Sequence, residues 1–240
     1  VEVRGDVTDV DSTEEKYFLS SDEDTFVIYI SGIDMWGAVN ARSRSDVNII
    51  ATVNTDTHEI LLVSTPRDYF VPLSISGGAP DKLTHAGTYG IDVSMETLGA
   101  LYETDINYYV RLNFSSLIEI VDILGGVDVY SEYAFTTGWE SGYEMEVQQG
   151  INHFDGKQAL AFSRERHALE GGDNQRGKNQ QAVITAMLKK VLSPTMLLKA
   201  NSIINQVSQD VETNISQGQL NSLVKSQLKS GAKWTIQSVA

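Results

Sequence analysis

Apolar residues come in short bursts along this chain, and the spacing inside each burst predicts the element it forms. Phe26-Val27-Ile28-Tyr29-Ile30 is a continuous apolar run closed by Ser31-Gly32, the pattern of a buried strand. Val47 to Val53 and Ile60 to Ser64 are two more runs, joined by the polar turn Asn54-Thr55-Asp56-Thr57, and together they predict a hairpin. Over residues 82–104 the spacing becomes helical, with Met95, Leu98, Leu101 and Tyr102 recurring on one side. Tyr108 to Leu112 reads as another strand. Asn113 then caps a helix with Leu117, Ile120, Val121 and Leu124 on its apolar face, ended by Gly125-Gly126. Val127 to Tyr130 returns as a strand. From Asp155 onward the pattern is mostly helical: Gln158 to Arg164, Asn174 to Leu192, and segments near 195–207 and 217–228. Trp234 to Val239 closes with strand-like alternation.

Strands and helices are interleaved, without internal repeats or low-complexity tracts. This predicts one α/β or α+β domain around a central sheet, covering residues 26–240. Residues 1–25 form an acidic, turn-rich lead-in. At 240 residues and 41% hydrophobic, the chain can bury a core without disulfides or structural metal. It contains no cysteine, which excludes disulfide scaffolds, thiolate zinc sites and cysteine nucleophiles. A net charge of −14 argues against nucleic acid as a partner, since neutralising phosphates needs a broad basic footprint. No run approaches the length of a membrane span. The chain starts at Val1 in a polar stretch, and we expect it to be a trimmed part of a longer protein.

Against that acidic background a local basic island stands out. Lys157, Arg164, Arg166, Arg176 and Lys178 fall within one short stretch, with His167 among them. Arg164 and Arg166 share a face only if the helix ends near Ser163 and the chain leaves it extended. Asp173 is the expected N-cap of the following helix, which places Arg176 in its first turn, where the helix dipole disfavours a cation. An anion between the guanidinium and the helix end resolves that conflict, because helix N-termini bind phosphate, and Gln180 follows one turn later on the same face. Arginine suits the task through its bidentate fork and permanent charge. The alternative is a solvated loop whose charges pair with Glu165, Glu170 and Asp173. Two further cations stand at element ends: Arg67 in Thr65-Pro66-Arg67-Asp68, after a strand, and Lys82 in the expected first turn of the helix opened by Asp81-Lys82-Leu83-Thr84-His85-Ala86.

Asp34 follows the first strand and Asp46 begins the second. Antiparallel pairing of those strands would bring both carboxylates to one sheet end, an arrangement apt for Mg2+ beside substrate phosphates. Two unrelated turn aspartates are the alternative. His58, His85, His153 and His167 have no zinc-ligand spacing, and no phosphate loop, nucleophile elbow or dinucleotide glycine pattern occurs. Trp36, Trp139 and Trp234 are expected in the core, or else at a pocket rim.

Ser43-Arg44-Ser45-Asp46 before an apolar strand, Ser64-Thr65-Pro66-Arg67-Asp68 after the next, and Asp81 to Ala86 resemble successive motifs of the LytR–CpsA–Psr family. Phe154-Asp155-Gly156-Lys157-Gln158-Ala159-Leu160, followed by Arg164, Arg166, Asp173, Arg176 and Gln180, resembles its C-terminal signature. The match runs over about residues 26–192, and the wording Arg44 to Ile50 looks most like the streptococcal capsule-attachment members. The resemblance implies an α/β/α layered domain with a mixed sheet and a long apolar pocket for a polyprenyl tail. It also implies that Arg67, Arg164, Arg166, Arg176, Gln180 and Lys82 meet a pyrophosphate. Asp34 and Asp46 would face magnesium, and Asp173 would orient the arginines.

The implied reaction moves a glycopolymer with its phosphate from polyprenyl (undecaprenyl) pyrophosphate to peptidoglycan. The polymer would be capsular polysaccharide or a teichoic-acid-like chain, with pyrophosphatase action as a side activity. Catalysis would rest on positioning and charge stabilisation by Arg67 and Arg164, with Asp46 or Asp34 taking the hydroxyl proton. Relatives work on the extracellular face of the bacterial cytoplasmic membrane, held by an N-terminal helix that this chain lacks. A non-catalytic lipid or polysaccharide receptor, a regulatory domain and a plain lipid-pyrophosphate hydrolase are the rival functions.

Overall fold

The computed structural model describes residues 24–36, 39 and 42–239. Most of the lead-in, residues 1–23, lies outside them. Strands β1 (Thr25–Ile33), β2 (Ser45–Asn54) and β3 (Glu59–Ser64) form an antiparallel meander. A small ribbon of β4 (Phe70–Pro72) and β5 (Pro80–Lys82) leads into helices α1 (Leu83–Tyr89) and α2 (Ile91–Tyr102). β6 (Tyr108–Leu112) then returns parallel to β1. Next come α3 (Phe114–Ile123), β7 (Val127–Ser131), the ribbon β8 (Phe135–Thr136) and β9 (Glu146–Val147), and β10 (Gly150–Phe154), which pairs back onto β7. Helices α4 (Gly156–Arg164), α5 (Asp173–Val191), α6 (Pro194–Leu197) and α7 (Ala200–Val207) follow. β11 (Glu212–Thr213), α8 (Gln217–Ser230) and β12 (Thr235–Val239) complete the chain. The central sheet is mixed, in the order β11-β6-β1-β2-β3-β12.

The two-residue period of a strand sorts its side chains between the faces of this sheet. Phe26, Ile28 and Ile30 of β1 join Ile49, Ala51, Val53, Ile60 and Leu62 beneath Ile184 and Leu188 of α5. Val27 and Tyr29 of β1 join Ile50 beneath Leu83 and Ala86 of α1 and Leu98 of α2. Both faces are covered, so β1 and β2 read as continuous apolar runs. A third cluster, with Val121, Val129, Phe162 and Met187, locks α3, α4 and α5 to β7. The result is helices on both sides of a mixed sheet, as the sequence predicts.

Two expectations need correction, and one unassigned stretch gains its elements. The helical stretch at 82–104 is two helices, because Gly90 takes φ 139, a conformation open to glycine and closed to other residues. Residues 130–154, which carry no clear period, form the β8–β9 and β7–β10 ribbons. Two of the three tryptophans are not core: Trp36 is 59% and Trp139 80% exposed, whereas half-buried Trp234 packs against the β1–β3 cluster and donates its indole N–H to Gln227 Oε1 at 2.7 Å.

Candidate active site

The antiparallel register of β1 and β2 pairs Ile33 with Ser45, so Asp34 and Asp46 stand at the same sheet end. Asp46 Oδ1 accepts from Arg67 Nη1 at 2.8 Å and from Thr84 Oγ1 at 3.3 Å. Arg67 is fixed just beyond β3 by its own carbonyl, which accepts the Thr84 N–H at 2.9 Å and ties the loop to α1. Partial burial and the Asp46 carboxylate push the Asp34 carboxyl above its usual range; Arg164 and Arg176 oppose the shift. Burial works against the Arg67 charge, yet Asp46 outweighs it and holds the guanidinium more firmly protonated.

The second half of the molecule brings the remaining cations to the same place. A capping box between Asp155 and Gln158 starts α4, and Arg164 is its last residue. The Arg164 guanidinium lies 4.5 Å over the Phe114 ring and donates to the Ser141 carbonyl at 3.2 Å. Arg176 is buried in the first turns of α5, where Asp173 Oδ1 sits 2.7 Å from its Nη2; burial is the main pressure lowering its pKa. Arg166 reaches the same Asp173 oxygen at 3.7 Å. The Nε atoms of Arg67 and Arg176 are buried without a hydrogen-bond partner among the described residues. Buried donors without a hydrogen bond are costly; Arg67 Nε has only the Asp68 carboxylate at 3.7 Å, and Arg176 Nε is free to take a further acceptor.

Between these groups opens a chamber of about 230 Å³. Ile33, Val47, Leu117, Leu160 and Val183 are among its apolar walls, whereas Asp34, Asp46, Arg164, Arg166, Arg176 and Gln180 are among its charged and polar lining, with Glu140 and His167 also present. This volume is below the roughly 300–1,000 Å³ of sites that enclose drug-sized ligands. A chamber of this size is smaller than the long apolar pocket that the family resemblance implies.

Two predicted placements differ. Asp173 does not cap α5 with its side chain. Gly172 holds the N-cap position, and the Asp173 carboxylate, at the first helical residue, turns to Arg176 and Arg166 instead. Lys82 is extended and precedes α1 rather than sitting in its first turn. Its ammonium lies 2.8 Å from Asp68 Oδ1, which lowers the Asp68 pKa, and it does not line the chamber.

Glu165, read from sequence as a possible counter-ion, has a different task. It is 4% exposed. Its Oε1 accepts the N–H groups of Arg166, His167 and Ala168 at 2.8, 2.7 and 3.0 Å, and its Oε2 accepts Gly138 N–H at 2.6 Å. These bonds fold the chain carrying Arg166 against the 138–142 turn, whose Ser141 carbonyl holds Arg164. Burial alone would raise the Glu165 pKa, but the four N–H donors outweigh it and bring it below the usual range. Glu165→Gln keeps one acceptor oxygen and sets an amide donor against Gly138 N–H. We expect a loss of about 1–3 kcal/mol, read as a lower melting temperature at neutral pH. Because the folded pKa is lowered, this stabilisation exists above the ordinary carboxylate range and fades as pH falls through it. Parent and variant melts should therefore converge in acid.

The LytR_cpsA_psr family model matches residues 3–240. The chain belongs to this family. The polyisoprenyl-teichoic acid–peptidoglycan teichoic acid transferase TagU of Oceanobacillus iheyensis is 32% identical over 224 residues, covering 90% of this chain and 67% of the relative. The protein of that name from Enterococcus faecalis is 34% identical, covering 82% and 63%. Both LytR_cpsA_psr relatives are thus longer, the chain spanning about two thirds of each. The crystal structure of Bacillus subtilis TagV superposes with a TM-score of 0.76 at 26% identity, covering 90% of this chain and 84% of that one. The mixed sheet between helices is therefore the LytR_cpsA_psr architecture.

Proposed function

We propose that this chain transfers a glycopolymer, capsular or teichoic-acid-like, with its phosphate from a polyprenyl pyrophosphate to peptidoglycan. The observation that carries the proposal is the convergence of Arg164, Arg166 and Arg176, from two separate segments, on the lining of one chamber, with Arg67 behind its wall, bonded to the lining residue Asp46. A diphosphate is the ligand such a cluster fits, since it supplies acceptors to the unpartnered Nε atoms. The apolar walls suit the start of the lipid. The names of the TagU relatives describe the same class of reaction.

In the proposed reaction an acceptor hydroxyl attacks the sugar-side phosphorus and polyprenyl phosphate departs. The arginines hold the diphosphate and stabilise charge on the leaving oxygen. Asp34 and Asp46 would hold magnesium. Their hard oxygens lie close enough to raise the Asp34 pKa, and magnesium is commonly bound by one or two carboxylates together with substrate phosphate. Among the described residues no cluster of three or more His, Cys, Asp or Glu would hold a metal alone. Magnesium at that place supplies positive charge to the diphosphate. Asp46 or Asp34 takes the hydroxyl proton. No described helix is long and apolar enough to cross a membrane. We assign the reaction to the extracellular face of the bacterial cytoplasmic membrane, with a preceding helix as anchor.

The test supplies a polyprenyl-diphosphate disaccharide, with or without magnesium and soluble peptidoglycan strands, and measures release of polyprenyl phosphate. Release that needs both additions is expected. Release without acceptor makes the protein a hydrolase, and binding without release makes it a receptor.

A further inference from the structure

A second cavity, of about 340 Å³, lies between the start of β2, the end of β3 and the first turns of α5. Its lining has three residues in common with the apolar chamber: Asp46, Arg176 and Gln180. The two spaces therefore meet at the charged wall, where the unpartnered Nε of Arg176 is buried. The second space is lined by Arg67, Ser64, Thr65, Asn174 and Lys178, groups that hydrogen-bond to hydroxyls.

Gly177 marks the point at which this space can be filled from the chain itself. It stands inside α5 and lines the cavity. Glycine in a helix interior lowers stability relative to alanine. A Cβ built at Gly177 meets no atom within 4 Å, whereas one at Gly156 would collide with the Ile118 backbone. Packing within the chain thus gives no cause for glycine at 177. Its missing side chain leaves room for something outside the chain.

We propose that this cavity receives the hydroxyl-bearing saccharide acceptor, an assignment that rests on the transferase function above. Attacking and leaving oxygens lie roughly in line in phosphoryl transfer. With the lipid in the first chamber and the diphosphate at the shared wall, the acceptor must approach from the other side of that wall, where the second cavity with its hydrogen-bonding groups lies. The acceptor oxygen bonds to the sugar-side phosphorus as the bond to the bridging oxygen breaks. The electron pair leaves with polyprenyl phosphate, and the hydroxyl proton passes to Asp46, the carboxylate that lines both spaces.

Filling the cavity tests this. Gly177→Ala and Gly177→Leu, made in the 240-residue chain, should melt no lower than the parent, because both residues favour helix. Both should bind polyprenyl diphosphate with unchanged Kd. With a polyprenyl-diphosphate disaccharide as donor and soluble peptidoglycan strands as acceptor, Gly177→Leu should raise the acceptor KM by roughly tenfold or more at unchanged donor KM, and Gly177→Ala by less. An unchanged acceptor KM in Gly177→Leu overturns the assignment. So does weakened binding of the disaccharide donor with the acceptor KM intact, which would give the cavity to the donor's own sugar. A parent chain that transfers nothing overturns the transferase function itself, and this assignment with it.

Discussion

Arg164→Ala is expected to lower the transfer rate by about 10²–10³-fold, the cost of removing one well-placed charged donor from a phosphoryl or acyl transfer site. Arg164 is held from two sides, by the Phe114 ring 4.5 Å below its guanidinium and by the Ser141 carbonyl at 3.2 Å. Neither contact consumes the whole fork, so donors remain for phosphate. Arg164→Lys keeps a charge but loses the planar stack and the paired donors, and should recover only a small part of the loss. Steady-state release of polyprenyl phosphate, with melting curves of both variants beside the parent, measures the effect. A rate within a few-fold of the parent in a folded Arg164→Ala protein would remove Arg164 from the site.

The two aspartates should separate stability from activity in opposite ways. Asp46 receives a 2.8 Å bond from Arg67, and its side chain is only 10% exposed. Asp46→Asn leaves that guanidinium without its charged partner and should lose about 1–3 kcal/mol of stability together with most of the transfer rate. Asp34 has the reverse balance. Its carboxyl is raised by burial and by Asp46, so its ionised form is the disfavoured one in the folded chain. The free energy lost to that charge appears as pH rises through the raised pKa and vanishes below the unfolded value. In magnesium-free buffer Asp34→Asn should therefore melt above the parent at neutral pH, match it in acid, and still lose transfer. Thermal melts at the two pH values and rate assays with magnesium test both halves. Equal melting shifts for the two variants would contradict the asymmetry.

Much of this was legible in the residues, and the parts that were not share a cause. The strands at 26–33 and 45–54 stood out because two-sided burial demands long apolar runs, and that at 59–64 because its apolar run follows a polar turn. Asp34 and Asp46 could be paired in advance because antiparallel pairing of the strands they flank brings the end of one beside the start of the other. Arg67, Arg164, Arg166 and Arg176 stood out as cations at element ends in an acidic chain. Glu165 did not, since an acid between arginines reads first as a counter-ion. Only the fold reveals the four N–H groups that converge on it, one of them 27 residues away. Phe114, fifty positions before the arginine it supports, was hidden for the same reason. Lys82 and Asp173 misled because a charge near a helix start fits several local roles, and long-range partners chose among them. Nothing in the sequence marks Gly177, because the open space beside it is visible only in the fold.

The most direct test follows the phosphate itself. A polyprenyl-diphosphate disaccharide labelled with ³²P at the sugar-side phosphorus is incubated with the protein, magnesium and soluble peptidoglycan strands. Transfer through attack on that phosphorus predicts that the label moves to the peptidoglycan with the sugar, matched one for one by unlabelled polyprenyl monophosphate. Label left on the lipid as polyprenyl diphosphate, with sugar alone on the wall polymer, would contradict it.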